Sequence, residues 1–227
     1  MLDASTQLAV IRGLREGRRD AWTTLYDEYS VDIWRYVGHL VGGTSSEVGD
    51  VVQETFLAAA RGAAGYDERR GSLWSWLAGI AHHQAAAHLR RGARKARLQT
   101  LVETGFVALR QGWDEAGEAA RDEAARDERR AELGELIRLV LAELSDDYAA
   151  LLAAKYLDGR TLEQLVGLFG GTVEALKSKL ARARREFREA FARHTGDATP
   201  TAARETARET TRAAAAVAAA VVLEAPD

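Results

Sequence analysis

The strongest constraint on the fold is a spacing. Between Ala21 and Val41 the apolar residues Ala21, Trp22, Leu25, Tyr26, Tyr29, Ile33, Trp34, Val37, Leu40 and Val41 recur at steps of three and four. That is the period of one broad face of an α-helix, not the alternation of a half-buried strand. The rhythm returns in Val48, Val51, Val52, Phe56 and Leu57, in Leu73, Trp76, Leu77, Ile80 and Ala81, and in Val173, Leu176, Leu180, Ala183, Phe187 and Phe191. β-Branched runs of strand length are nearly absent, and an Ala-, Leu- and Arg-rich texture with two prolines favours helix. An all-α fold is expected.

Punctuation divides the helices. A first helix is expected over about residues 6–16, stopped near Gly17, and a second behind Asp20 as its N-cap, ending before Gly42-Gly43. Thr44 and Glu47 form a capping-box pair that opens a third helix; Gly62 to Gly71 reads as a loop, and Ser72 caps a fourth helix. These make one domain over 1–97. From 98 to 130 charge dominates and glycines interrupt, which reads as an acidic tether. A second domain, 131–194, holds an apolar helix at 133–144, a Ser145-capped helix to Leu157, and the turn Asp158-Gly159. A Thr161/Gln164 capping box then opens a short helix, Gly170-Gly171 turns the chain, and Thr172 caps a last long helix. Helix, tight turn, helix is the outline of a helix-turn-helix. Residues 195–227 are an Ala/Thr-rich extension.

Composition narrows the partners. The net charge of −3 argues against nucleic acid until its distribution is read. His88 to Arg97 carries five basic residues and no acid; Lys177 to Arg193 carries seven basic residues and two acids; Glu103 to Glu135 carries ten acids and five arginines. The acidic middle cancels the sum while leaving two basic segments locally intact. With no cysteine, disulfides and thiolate chemistry are excluded, and a reducing, cytoplasmic setting is expected. The start Met1-Leu2-Asp3 shows no secretory pattern, and the longest apolar run, Ala213 to Leu223, is too short to span a bilayer. No nucleophile set, phosphate-cradling loop or complete metal site stands out, so neither an enzyme nor a cofactor is expected. His82, His83 and His88 lack a second cluster to complete a metal site.

The string Asp50-Val51-Val52-Gln53-Glu54-Thr55-Phe56-Leu57 resembles the signature of domain two of sigma-70 family RNA polymerase sigma factors. Gly71-Ser72-Leu73-Trp74-Ser75-Trp76-Leu77 with Ile80-Ala81 and then Leu89-Arg90-Arg91 resembles the family's promoter-melting stretch. Leu144-Ser145, Tyr156-Leu157-Asp158-Gly159, Leu176-Lys177-Ser178-Lys179-Leu180 and Arg182-Ala183-Arg184-Arg185 resemble domain four. Two domains and a linker are similar to the extracytoplasmic-function group. The resemblance implies core RNA polymerase, through its clamp helices and flap, and promoter DNA as partners, with an anti-sigma protein as a candidate third. It implies a polymerase contact at Asp50, Gln53, Glu54 and Phe56. The −10 element would be bound and melted by Tyr66, Trp74, His83, Arg90, Arg91 and Arg94. The −35 element would be read by Thr172, Lys177, Ser178, Lys179, Arg182, Arg184 and Arg185. His83 stands where the family often has asparagine, and Gly170-Gly171 where it usually has Ile-Ser, so the −10 preference and the angle of the reading helix are not carried over. Trp76 reads as a core residue, and Trp74 as either core or site. A helix-turn-helix repressor or activator working without polymerase would explain the second domain but leave the Asp50 helix without a task.

Overall fold

The computed structural model describes residues 4–103 and 133–195, with side chains over 5–92 and 133–194. The acidic stretch from 104 to 130 and the extension beyond 195 lie outside the described residues, as does the side chain of Arg94. Helices α1 (Ala4–Arg15), α2 (Arg19–Val41) and α3 (Ser45–Gly62) are followed by a 3-10 turn at Ala63–Gly65 and the long α4 (Leu73–Glu103). Then come α5 (133–143), α6 (Asp146–Leu152) running into a π turn at Ala153–Leu157, α7 (Leu162–Phe169) and α8 (Val173–Thr195). The described residues are helical, without strands, as the spacing requires.

Most of the boundary chemistry is as read. Thr44 Oγ1 accepts from the Glu47 N–H while Glu47 reaches back to the Thr44 N–H at 2.8 Å. Thr161 and Gln164 do the same, Ser72 Oγ accepts from the Ser75 N–H, and Thr172 Oγ1 from the Ala175 N–H. Three boundaries differ. The cap of α2 is Arg18, and Asp20 sits inside the first turn, where it holds the Arg18 guanidinium and meets the positive end of the helix dipole. Ser145 occupies the N-cap of α6 without a side-chain bond to it. Helix α4 runs past residue 97 to Glu103, since nothing between Ala93 and Glu103 breaks it.

The first four helices close around Leu25, Ile33, Val37, Leu40, Val51, Leu73 and Leu77, and the last four around Val140, Leu151, Leu165, Leu168, Leu176, Leu180 and Ala183. These are not two separate cores. They join in one continuous apolar cluster, and α6 packs along α4. Trp74 lies in the seam, with ring centroids 6.4 Å from Tyr36, 6.5 Å from Tyr29 and 6.5 Å, edge to face, from Phe169 of α7.

Candidate nucleic-acid interface

Helix α3 is two-faced. Val48, Val51, Val52, Thr55 and Ala59 are buried, and the Thr55 hydroxyl donates to the Val51 carbonyl, so its inward polar group is satisfied within the helix. Asp50, Gln53 and Glu54 are exposed together, as steps of three and four require. Phe56 is half-buried, its ring 4.9 Å from that of Tyr26. Around this row Tyr26, Val31, Trp34 and Leu57 are exposed large apolar residues. The result is an acidic and amide row beside apolar side chains on a rigid support.

A cleft of about 390 Å³ opens between the loop before α4, the first turns of α4, and the start of α6. Its walls include Tyr66, Asp67, Arg70, Trp76, Ile80, His83, Asp146 and Asp147. Tyr66 is pinned: its hydroxyl donates to the Gly71 carbonyl at 2.9 Å, its own carbonyl accepts from Arg15 at 2.8 Å, and its ring lies 5.2 Å from that of Trp76. It is buried and shapes the loop, so a base stacking on it would first have to dislodge the ring.

Trp74 departs from its expected place among the −10 residues. It is buried in the aromatic seam, with its indole N–H unpaired, and has no face for DNA. The helical phase explains this: Trp74 follows Leu73 and precedes Leu77, Ala78 and Ala81 on the inward side. Trp76, Ile80 and His83 share the outward side and line the cleft. Trp76, read from the sequence as core, is the half-buried aromatic that faces the cleft. The 76–80–83 spacing was the available signal, and it was obscured because both tryptophans sit among apolar neighbours. His82 and His83 part in the same way. His83 is exposed; His82 is 3% exposed, its Nδ1 3.2 Å from the Tyr36 hydroxyl. Burial is the largest influence on His82 and holds its pKa below the ordinary value, against the pull of Asp146. Tyr36, wholly enclosed, is pushed well above the ordinary tyrosine range. Arg90 and Arg91 are exposed farther along α4.

Helix α8 buries Leu176, Leu180, Ala183 and Phe191 and presents Lys177, Ser178, Arg182, Arg184 and Arg185. Gly170 and Gly171 turn into it with φ of +76° and +83°, a left-handed pair that side chains rarely adopt. Lys177 pairs with Glu174 at 2.9 Å within the helix. Lys179 is engaged across the fold, 2.7 Å from Asp147 of α6. The two acids Asp146 and Asp147, which sequence reasoning left out, therefore touch both candidate DNA surfaces.

Comparison with known proteins follows the same outline. A family model described as Sigma-70 region 2 matches residues 25–95, which holds α3, the cleft loop and most of α4. The ECF RNA polymerase sigma factor BldN of Streptomyces coelicolor is 25% identical over 181 residues, covering 80% of this chain and 64% of its own length. The chain thus spans just under two thirds of that relative. ECF RNA polymerase sigma factor SigK of Mycobacterium ulcerans is 29% identical, with 79% of this chain and 90% of that protein covered. The probable RNA polymerase sigma-C factor of Mycobacterium bovis is 28% identical, with 80% and 88% covered.

Proposed function

We propose that this chain, which belongs to the extracytoplasmic-function group of the sigma-70 family, binds core RNA polymerase in the cytoplasm and directs it to promoters that it helps to open. It works by binding, not by a covalent reaction of its own. The observation that carries the reading is the exposed row Asp50, Gln53 and Glu54 on a helix whose opposite face is locked into the core, inside the segment that matches region 2. The cleft with Trp76 and His83, continued by Arg90 and Arg91, supports capture of the −10 strand. Unstacking costs a few kcal/mol per base, and aromatic stacking returns about 1 to 3 kcal/mol per base. The basic outer face of α8 supports reading of the −35 element through phosphate and base-edge contacts. A helix-turn-helix regulator independent of polymerase would leave the α3 row unused.

Pull-down with core RNA polymerase tests the reading. The full chain should be retained, and the triple substitution of alanine for Asp50, Gln53 and Glu54 should lose retention while keeping its helical circular dichroism. No association of the unaltered chain even at low salt would sink it. Permanganate footprinting on a promoter recovered with the reconstituted holoenzyme then distinguishes opening from mere attachment.

A further inference from the structure

The two basic surfaces are held against each other, and the contact is built from specific pairs. His39 Nε2 of α2 lies 2.8 Å from Asp158, Arg160 engages Asp32, and Ser72 Oγ donates to the Leu168 carbonyl at 2.6 Å. Gly79, in the middle of α4, is where α6 comes closest: a Cβ at that position would stand 2.6 Å from Asp146 Oδ2. The helix dispenses with a side chain at the point where the acid of the second domain enters the cleft. Asp146 and Asp147 then put carboxylates opposite Trp76 and His83, where a DNA strand would have to lie, and Asp147 neutralises Lys179 of the reading helix.

Distance makes this arrangement incompatible with a promoter. The −10 and −35 elements lie roughly 25 base pairs apart, which is about 85 Å of duplex at 3.4 Å per base pair. Here one residue, Asp147, borders the cleft and pairs with the reading helix. Both elements cannot be engaged until the halves separate. The seam is also poised to part. The two buried side-chain nitrogens without a hydrogen-bond partner among the described residues are Trp74 Nε1, beside Phe169, and Arg138 Nε, beside Gly42; both lie on the seam. Each such group costs about 1 to 3 kcal/mol while buried and regains water on opening. The α3 row lies outside the seam and stays exposed.

Resting on the function proposed above, we infer that the free chain closes on itself, the second domain covering the −10 cleft with Asp146 and Asp147, and that polymerase bound at α3 holds it open. The chain is thereby silent toward DNA until polymerase has engaged it.

The chain contains no cysteine, so a pair introduced as Gly79→Cys with Asp146→Cys has no competing thiol. Built on Gly79, a Cβ lies 4.0 Å from that of Asp146, within the span a disulfide bridges. Mild oxidation of the full-length double variant should close the bridge in the free chain. Prior addition of core polymerase should slow closure by about tenfold or more if binding shifts the population to the open state. The bridged chain should still be retained by core polymerase but fail to open the recovered promoter, and reductant should restore opening. Failure of the bridge to form, closure at an unchanged rate with polymerase bound, or opening by the bridged form would each overturn the inference. Loss of polymerase retention on bridging alone would refute the claim that α3 stays accessible. If the reduced variant and the unaltered chain both ignore polymerase, the functional reading fails instead, and bridge formation still reports on closure.

Discussion

Single residues decide what each face of α4 does. Trp74→Ala would leave a large void among Tyr29, Tyr36 and Phe169, and should destabilise the chain by about 3 to 5 kcal/mol, read from urea unfolding. Trp76→Ala removes a half-buried cleft wall and should cost far less stability while impairing promoter opening in permanganate footprinting. The reverse pattern would return the site to Trp74. His82 contributes a pH dependence whose sign is set by burial. Its folded pKa is held below the ordinary 6.5, chiefly by desolvation. On acidification the unfolded chain takes up the proton first, so stability is full above 6.5 and declines as pH falls toward the lowered folded value. One such group supplies a slope of at most about 1.4 kcal/mol per pH unit. Urea midpoints measured from about pH 7.5 to about pH 5.5 should fall more steeply for the unaltered chain than for His82→Gln. Parallel profiles would show that His82 is not the group responsible.

At the scale of elements, α8 carries the prediction most specific to DNA. If Lys179 meets a phosphate once released from Asp147, Lys179→Ala should weaken promoter binding by the holoenzyme and reduce the slope of log affinity against log salt by about 1. An unchanged slope would leave that lysine as a structural partner of Asp147. Elements were also the scale at which the sequence was most informative. Capping boxes at Thr44 and Thr161 and the glycine pair before α8 are local chemistry, fixed by residues three positions apart or adjacent, and they stand as read. The exposed row on α3 was equally legible, because burial of Val48, Val52 and Ala59 leaves Asp50, Gln53 and Glu54 one side to occupy. What could not be read depended on a distant partner. Trp74 and Trp76 are both aromatic and two apart, so their fates turn on which face of α4 meets α7, a fact no local pattern contains. Asp146 and Asp147 read as ordinary first-turn acids of a helix, and only their approach to Gly79 and Lys179 shows a further role.

For the whole molecule, the question is whether two sequence-defined domains behave as one. A single apolar cluster runs through both halves, so the free chain should unfold as one cooperative unit, with calorimetric and van't Hoff enthalpies in agreement. The polar part of the seam converges on Asp158, which is 2.8 Å from His39 and 3.9 Å from both Arg35 and Arg160, with its side chain 10% exposed. Arg35 and Arg160 also have Asp32 as a partner, so removing Asp158 would not leave them wholly unpaired. The partners are partly solvated, which limits each pair to a modest worth, and Asp158→Ala should weaken the seam by roughly 1 to 2 kcal/mol. That is a factor of about 5 to 30 in the balance between joined and separated halves. It should suffice to uncouple them on heating: the variant's calorimetric enthalpy should exceed its van't Hoff enthalpy, the earlier-melting half losing its neighbour without taking it along. Retention of a single two-state transition in Asp158→Ala, at an unchanged midpoint, would mean that apolar packing around Trp74 and Phe169 holds the halves together without help from the ionic cluster.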